Sequence, residues 1–206
     1  MQSILHTAKE LLLPALRPGG TAADFTMGNG HDTLFLSRAL PGGQVWAFDI
    51  QPAALKATQA LLDNNSAGGN VRLILDSHSN LDRYIQTPLD AGVFNLGYLP
   101  WADKAITTRR ETTLEAVDKA LPLLRVGGVL VIVIYPGHEE GRLEGEALQQ
   151  KLSGLDPKRY DVLLHRLIHV PECPYILAVE RRKYSVLLRD RSQKGPGKEK
   201  SFSGAL

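Results

Sequence analysis

The chain has 206 residues, 43% apolar and 22% charged, with a net charge of +2, which is ordinary for one globular domain with a substantial core. No apolar run approaches the ~20 residues that span a bilayer; residues 1–10 lack the basic and apolar stretches of a secretion signal, so the cytoplasm is the expected compartment. The single cysteine, Cys173, excludes an intrachain disulfide and a cysteine-rich metal site, and the six histidines show no metal-ligand spacing, so no metal is expected.

Short β-type runs alternate with helical stretches, which predicts an α/β domain around a mainly parallel sheet. Residues 4–16 carry Leu5, Ala8, Leu12 and Leu16 at helical spacing, up to a Pro-Gly-Gly stop. Residues 21–25 form a first strand that runs into the glycine-rich 27–30, and 32–40 a helix. Strand 44–48 and helix 52–63 follow, the helix opening on Pro52, where a missing N–H costs nothing. Strands 71–75 and 91–95 precede helix 111–124, with Leu114, Val117, Leu121 and Leu124 on one face. Residues 127–134 are apolar throughout, as befits a central strand covered on both faces. Helix 139–152 leads to strands 161–170 and 175–180, a C-terminal hairpin that completes a seven-stranded count.

The domain is therefore drawn at 1–183, followed by a basic tail, 184–206, whose Lys/Gly/Ser-rich stretch 192–203 is expected to be disordered. From Arg181 onward eight basic residues face two acidic ones, so residues 1–180 are mildly acidic. Such a tail suits contact with a nucleic-acid backbone, and it suits a merely solvated segment as well.

The first chemical constellation is Asp24-Phe-Thr26-Met-Gly28-Asn29-Gly30-His-Asp32-Thr33, between a strand and a helix. Glycines there let the backbone pass close to a ligand, and the helix start adds unpaired N–H donors. Asp49, at the end of the next strand and 19 positions after Gly30, is placed to accept hydrogen bonds from both hydroxyls of a ribose. A dinucleotide fingerprint wants a third glycine where Thr33 stands, and Asp24 would face a pyrophosphate badly. It suits a ligand bearing an ammonium and a sulfonium, so the balance favours S-adenosylmethionine (SAM) over NAD.

The second constellation, Asn95-Leu-Gly-Tyr98-Leu-Pro100, ends the fourth strand, where ligands of open α/β sheets sit. Its Asn and Tyr match the Asn-Pro-Pro-Tyr loop of amino-group methyltransferases. Asn95 cannot act as a base, but it can orient a neutral amine towards a methyl carbon, positioning worth up to roughly 7–11 kcal/mol in the best cases. Asp76 and His78 sit where such folds contact adenine, although helix capping explains them equally. His138 falls at the rim beyond the fifth strand, as a proton acceptor or as a plain surface histidine.

Together with Asp103-Lys104, Thr112-Thr113 and Tyr135-Pro-Gly-His138, these strings resemble the YtqB/MnmM-type methyltransferases from about residue 4 to 182. The resemblance implies a Rossmann-like class I methyltransferase fold and transfer from SAM to the aminomethyl nitrogen of 5-aminomethyl-2-thiouridine at the tRNA wobble position. It implies a cofactor held by Asp24, Thr26, Gly28, Asn29, Gly30, Asp32, Thr33, Asp49, Gln51, Asp76, His78 and Asn95, with Asn95 and Tyr98 catalytic. Trp101, Asp103, Lys104 and His138 are expected to face the substrate. Two departures border that region: Trp101-Ala102 replaces the family's Gly-Gly, and 170–174 replaces an Asn/Pro-rich segment. Trp101 suits stacking on an unpaired base or packing at the rim. The expected partner is tRNA, with a homodimer left open. A methyltransferase for another RNA or a small molecule, and an inert SAM- and RNA-binding domain, stand as alternatives.

Overall fold

The computed structural model describes residues 3–97, 108–170 and 172–183. Pro14 decides where the first helix stops. Helix α1 spans Ile4–Leu12, with the Ser3 hydroxyl accepting from the His6 N–H, and then tightens into a 3-10 turn, Leu13–Ala15. A proline lacks the N–H that an α-helix needs and its ring crowds the preceding turn, so the helix does not continue to residue 16.

Seven strands follow: β1 Thr21–Asp24, β2 Gln44–Asp49, β3 Val71–Leu75, β4 Leu89–Asn95, β5 Leu124–Ile134, β6 Tyr160–His165 and β7 Tyr175–Arg181. Between them run α2 His31–Ala39, α3 Pro52–Asn64, α4 Arg110–Leu123 and α5 Glu139–Ser153. The strand order is β3-β2-β1-β4-β5-β7-β6, parallel except for β7, which pairs antiparallel with both β5 and β6. The chain winds outward from β1 to β3 and returns at β4, so a crevice opens between the carboxyl ends of β1 and β4.

The unbroken apolar run of β5 is explained by two cores. Leu130, Ile132 and Ile134 pack with Phe25, Phe94 and the inward faces of α4 and α5. Val131 and Val133 turn the other way, to Ala8 and Leu12 of α1 and Leu36 of α2. Each alternate side chain thus meets a helical layer.

Three further expectations need correction. Strand β6 ends at His165 rather than 170, because its last register pair is His165 with Ile176 and Pro174 offers no N–H beyond it. Strand β5 begins at Leu124, the register shift against β4 between Leu89 and Ala91 absorbing the Gly127-Gly128 pair. A 3-10 segment, His78–Arg83, follows β3 and is capped by the Ser77 hydroxyl, not by Asp76 or His78. The tail, 184–206, lies outside the described residues. No helix among the described residues is long and apolar enough to cross a membrane.

At the amino ends of β1 and β4 the buried Asp90 carboxylate accepts from Arg17 Nε at 2.6 Å, the Thr21 N–H at 2.8 Å and Arg125 Nε. Burial alone would raise its pKa; these donors prevail and hold it below the usual carboxylate range.

Candidate cofactor and acceptor site

A cavity of about 1340 Å³ occupies the crevice at the carboxyl ends of the strands. Its floor is residues 26–29 of the turn between β1 and α2. The Met27 N–H donates to the Phe48 carbonyl at 2.8 Å, and the Gly28 N–H to Asp49 Oδ2 at 3.1 Å. Gly30 caps α2 with φ +84°, in the left-handed region, and a Cβ there would sit 2.9 Å from Thr58 of α3. The Thr58 hydroxyl donates to the Gly28 carbonyl at 3.0 Å, so α3 braces the turn from behind.

Carboxylates dominate the cofactor side. Asp49 takes the Gly28 N–H on one oxygen and the Gln51 N–H, at 2.9 Å, on the other, and burial raises its pKa. Both oxygens keep a lone pair, and Asp49 lines the cavity, as a ribose diol requires. Asp24 lies one layer behind the wall, 1% exposed, accepting from the Thr26 N–H and, at 2.6 Å, from the Thr33 hydroxyl. Burial, and next the negative charge of Asp32, push its pKa up to about 7. Asp32 is on the cavity wall and pairs with Lys9 of α1 at 3.5 Å. Three carboxylates against one lysine make a pocket for a cation, which suits the sulfonium and ammonium of SAM.

A second part of the wall is formed by Asp76, Ser77 and His78. Asp76 is occupied by Asn80 Nδ2, the Tyr84 hydroxyl and the Ser77 N–H, and the Asn80 bond leads in lowering its pKa. His78 gives its Nδ1 proton to the Phe25 carbonyl at 3.0 Å. Burial depresses its pKa, so Nε2 is left as a buried acceptor with no hydrogen-bond partner among the described residues, in a side chain that lines the cavity. An orphaned acceptor there fits an adenine amino donor.

On the acceptor side, the Asn95 backbone N–H donates to the Thr26 hydroxyl at 2.7 Å and its side-chain amide nitrogen to Asp32 at 3.4 Å. With the amide nitrogen committed to Asp32, the amide oxygen is the part of the Asn95 side chain that can accept a hydrogen bond. Tyr135 lines the same wall, its pKa raised by burial and next by Asp32. His138 caps α5, Nδ1 accepting from the Gly141 N–H at 3.0 Å, and reaches the cavity rim. Gly141 and Gly145 let α5 lie close to the end of β5, since a Cβ would collide with the Tyr135 carbonyl or the Tyr175 hydroxyl.

Of the sequence candidates, Thr26, Gly28, Asn29, Asp32, Asp49, Gln51, Asp76, His78, Asn95 and His138 converge on this one cavity. Asp24, Gly30 and Thr33 do not line it; Thr33 is fully buried, its first-turn side chain pointing back to Asp24. Tyr98, Trp101, Asp103 and Lys104 lie outside the described residues. Sequence reasoning missed Lys9, Thr108 and Arg109, all on the wall, whereas Glu172 falls within 170–174, a segment it set beside the substrate. Nothing local marks the three that were missed.

The family described as "Putative rRNA methylase" matches residues 45–181. The chain is 34% identical, over 82% of its length, to the "tRNA (mnm(5)s(2)U34)-methyltransferase, chloroplastic" of Arabidopsis thaliana, and spans 65% of that relative's length. A crystal structure described as a "putative rRNA-methylase" from Clostridium thermocellum superposes with a TM-score of 0.85 at 38% identity, covering 88% of this chain and 98% of that one. A "putative methyltransferase" from Streptococcus mutans, in complex with SAH, superposes with a TM-score of 0.80 at 36% identity, over 88% and 99%. The fold is the Rossmann-like fold of class I methyltransferases.

Proposed function

The chain belongs to the family described as "Putative rRNA methylase", and from that membership we propose that it is a SAM-dependent N-methyltransferase acting on RNA, methylating the aminomethyl group of 5-aminomethyl-2-thiouridine at the tRNA wobble position. The observation that carries this reading is the placement of Asn95, whose amide is anchored on Asp32 within the cavity that also presents Asp49. SAM, when bound, supplies an electrophilic methyl carbon.

Asp49 holds the ribose, the acidic wall of Asp32 with Asp24 behind it favours the cationic amino-acid end, and His78 Nε2 offers an acceptor to the adenine. The Asn95 oxygen accepts an N–H of the incoming amine and turns its lone pair to the methyl carbon. The amine must arrive uncharged, so the rate rises with pH until the free amine predominates. The N–C bond forms as the C–S bond breaks, its electrons staying on sulfur, and the ammonium product then gives up a proton. RNA contact is supported by the basic composition from Arg181 onward; removing residues 184–206 is expected to raise KM for tRNA and flatten its salt dependence. The compartment proposed is the cytoplasm.

The test incubates the protein with methyl-labelled SAM and tRNA bearing 5-aminomethyl-2-thiouridine, then digests to nucleosides for mass spectrometry. Label is expected on the aminomethyl nitrogen. Label on ribose or a ring carbon refutes the amine reading, and no transfer at all favours the inert binding domain.

A further inference from the structure

Helix α5 is rich in acidic side chains, and Glu139, Glu140 and Glu146 stand in solvent as a charged helix face should. Glu144 does not: it is 2% exposed and points inward. Its Oε1 accepts from the Thr113 hydroxyl at 2.6 Å and its Oε2 from the Thr108 hydroxyl at 2.9 Å. Thr108 is bound in turn to Gly97 in both directions. The Gly97 N–H donates to the Thr108 hydroxyl at 3.1 Å, and the Thr108 N–H donates to the Gly97 carbonyl at 3.0 Å. Gly97 stands two residues after Asn95, and the Leu96 N–H between them donates to Val133. Gly97, Thr108 and Thr112 all line the cavity.

A buried carboxylate is costly unless its lone pairs are used, and an apolar side chain would fill this position more cheaply. What the carboxylate does that a leucine cannot is hold two hydroxyls from α4 and its lead-in at fixed points. One of them clamps together the two ends of the stretch that contains Tyr98, Trp101, Asp103 and Lys104.

We propose that Glu144 is a positioning residue for the RNA acceptor: through Thr108 and Gly97 it sets the exit of the chain from Asn95, and so the placement of the amine against the methyl donor. This rests on the function proposed above. Among the described residues, the cofactor half of the cavity, built on Asp49, Asp32 and the 26–29 turn, shares no hydrogen bond with this network. Disturbing Glu144 therefore separates acceptor kinetics from cofactor binding.

The experiment measures kcat and KM for tRNA, SAM affinity by calorimetry, and the melting temperature, for the wild type, Glu144→Ala, Glu144→Gln, Thr108→Val and the Glu144→Ala/Thr108→Val pair. Glu144→Ala is expected to lower kcat/KM for tRNA by ~30-fold or more, with SAM affinity within about twofold of wild type. Glu144→Gln, which keeps one acceptor oxygen, is expected to recover part of the loss. The double variant is expected to be no worse than Glu144→Ala, because both changes cut one network. Unchanged tRNA kinetics in Glu144→Ala, or equal losses of SAM affinity and turnover, overturn the proposal, as does additive behaviour of the pair. If Glu144→Ala does not fold, the same criteria apply to Glu144→Gln and Thr108→Val. A wild type inactive on this tRNA refutes the proposed function itself and removes the premise on which the role of Glu144 stands.

Discussion

Asp24 carries a prediction that can be made quantitative. With its pKa pushed up to about 7 by burial and by Asp32, the carboxyl of the ligand-free protein is mostly protonated below neutrality. Charge reaches it across the cavity wall: Asp32 on α2 and Asp49 at the end of β2 raise its pKa, while Lys9 of α1 is engaged by Asp32 and burial keeps His78 neutral. A ligand with net positive charge on that wall reverses the sign and favours the carboxylate. Binding of SAM is then coupled to loss of a proton, and affinity rises with pH. If the bound state returns Asp24 to the ordinary carboxylate range, SAM binds ~25-fold more weakly at pH 5.5 than at pH 7.5. The ligand-free chain also loses stability as pH rises from the unfolded carboxyl's range to about 7, since the unfolded state ionises first, so the SAM-induced rise in melting temperature is larger at pH 7.5. Calorimetry at both pH values, repeated in buffers of different ionisation enthalpy, reads affinity and proton release together. Asp24→Asn is expected to bind more weakly at pH 7.5 and to show a flat profile. A wild-type affinity that does not change between the two pH values, or an Asp24→Asn variant that keeps the slope, refutes the reasoning.

Asp49→Ala removes the acceptor of two backbone N–H groups as well as the ribose contact, so SAM affinity by calorimetry should fall by ~10-fold or more; an unchanged value would dismiss Asp49 as a ligand. Gly30→Ala forces an L-residue into the left-handed region, costing about 1–2 kcal/mol, and drives its Cβ into Thr58, so a thermal melt should show a clear loss of stability and a wild-type melt would contradict the geometry. Asn95→Ala should lower kcat by at least ~100-fold with SAM still bound, because the lost amide orients the acceptor rather than the cofactor; single-turnover assays beside calorimetry decide it. Asp90→Ala takes a buried acceptor from the Thr21 N–H, Arg17 and Arg125, although Arg125 keeps its bonds to the Ala15 and Val126 carbonyls, so urea midpoints should drop by the equivalent of about 1–3 kcal/mol; an unchanged midpoint would mean that solvent rehydrates all three donors.

What was legible in the sequence is what is local. The bounds of β3 are legible because Gly68-Gly69 and Asp76 flank a short run that is apolar at four of its five residues, and the turn 26–30 is legible because Gly28 and Gly30 mark it. Asp49 and Asn95 were findable because strand ends face the crevice. Lys9 and Glu144 were not, since each matters only through a partner brought near by folding: Asp32 in one case, Thr108 and Thr113 in the other. In sequence, Glu144 cannot be told from the exposed glutamates around it. The boundaries at 165 and 124 are not legible for a related reason, as strand length depends on where the neighbouring strand begins.

The strand order also has a consequence for synthesis. Strand β6 leaves the ribosome before β7, yet β7 is its partner in the sheet and slots between β5 and β6. Until residues 175–181 emerge, β6 has no ladder to join, and its Val162, Leu163 and Leu164, each still more than two-fifths exposed in the finished fold, stand open to other nascent chains. The sheet is closed by a keystone laid last, so a ribosome that stalls before Tyr175 releases a chain with its central parallel strands formed and a sticky, unpaired margin. Chaperone demand during production should therefore concentrate in the interval between the emergence of β6 and that of β7.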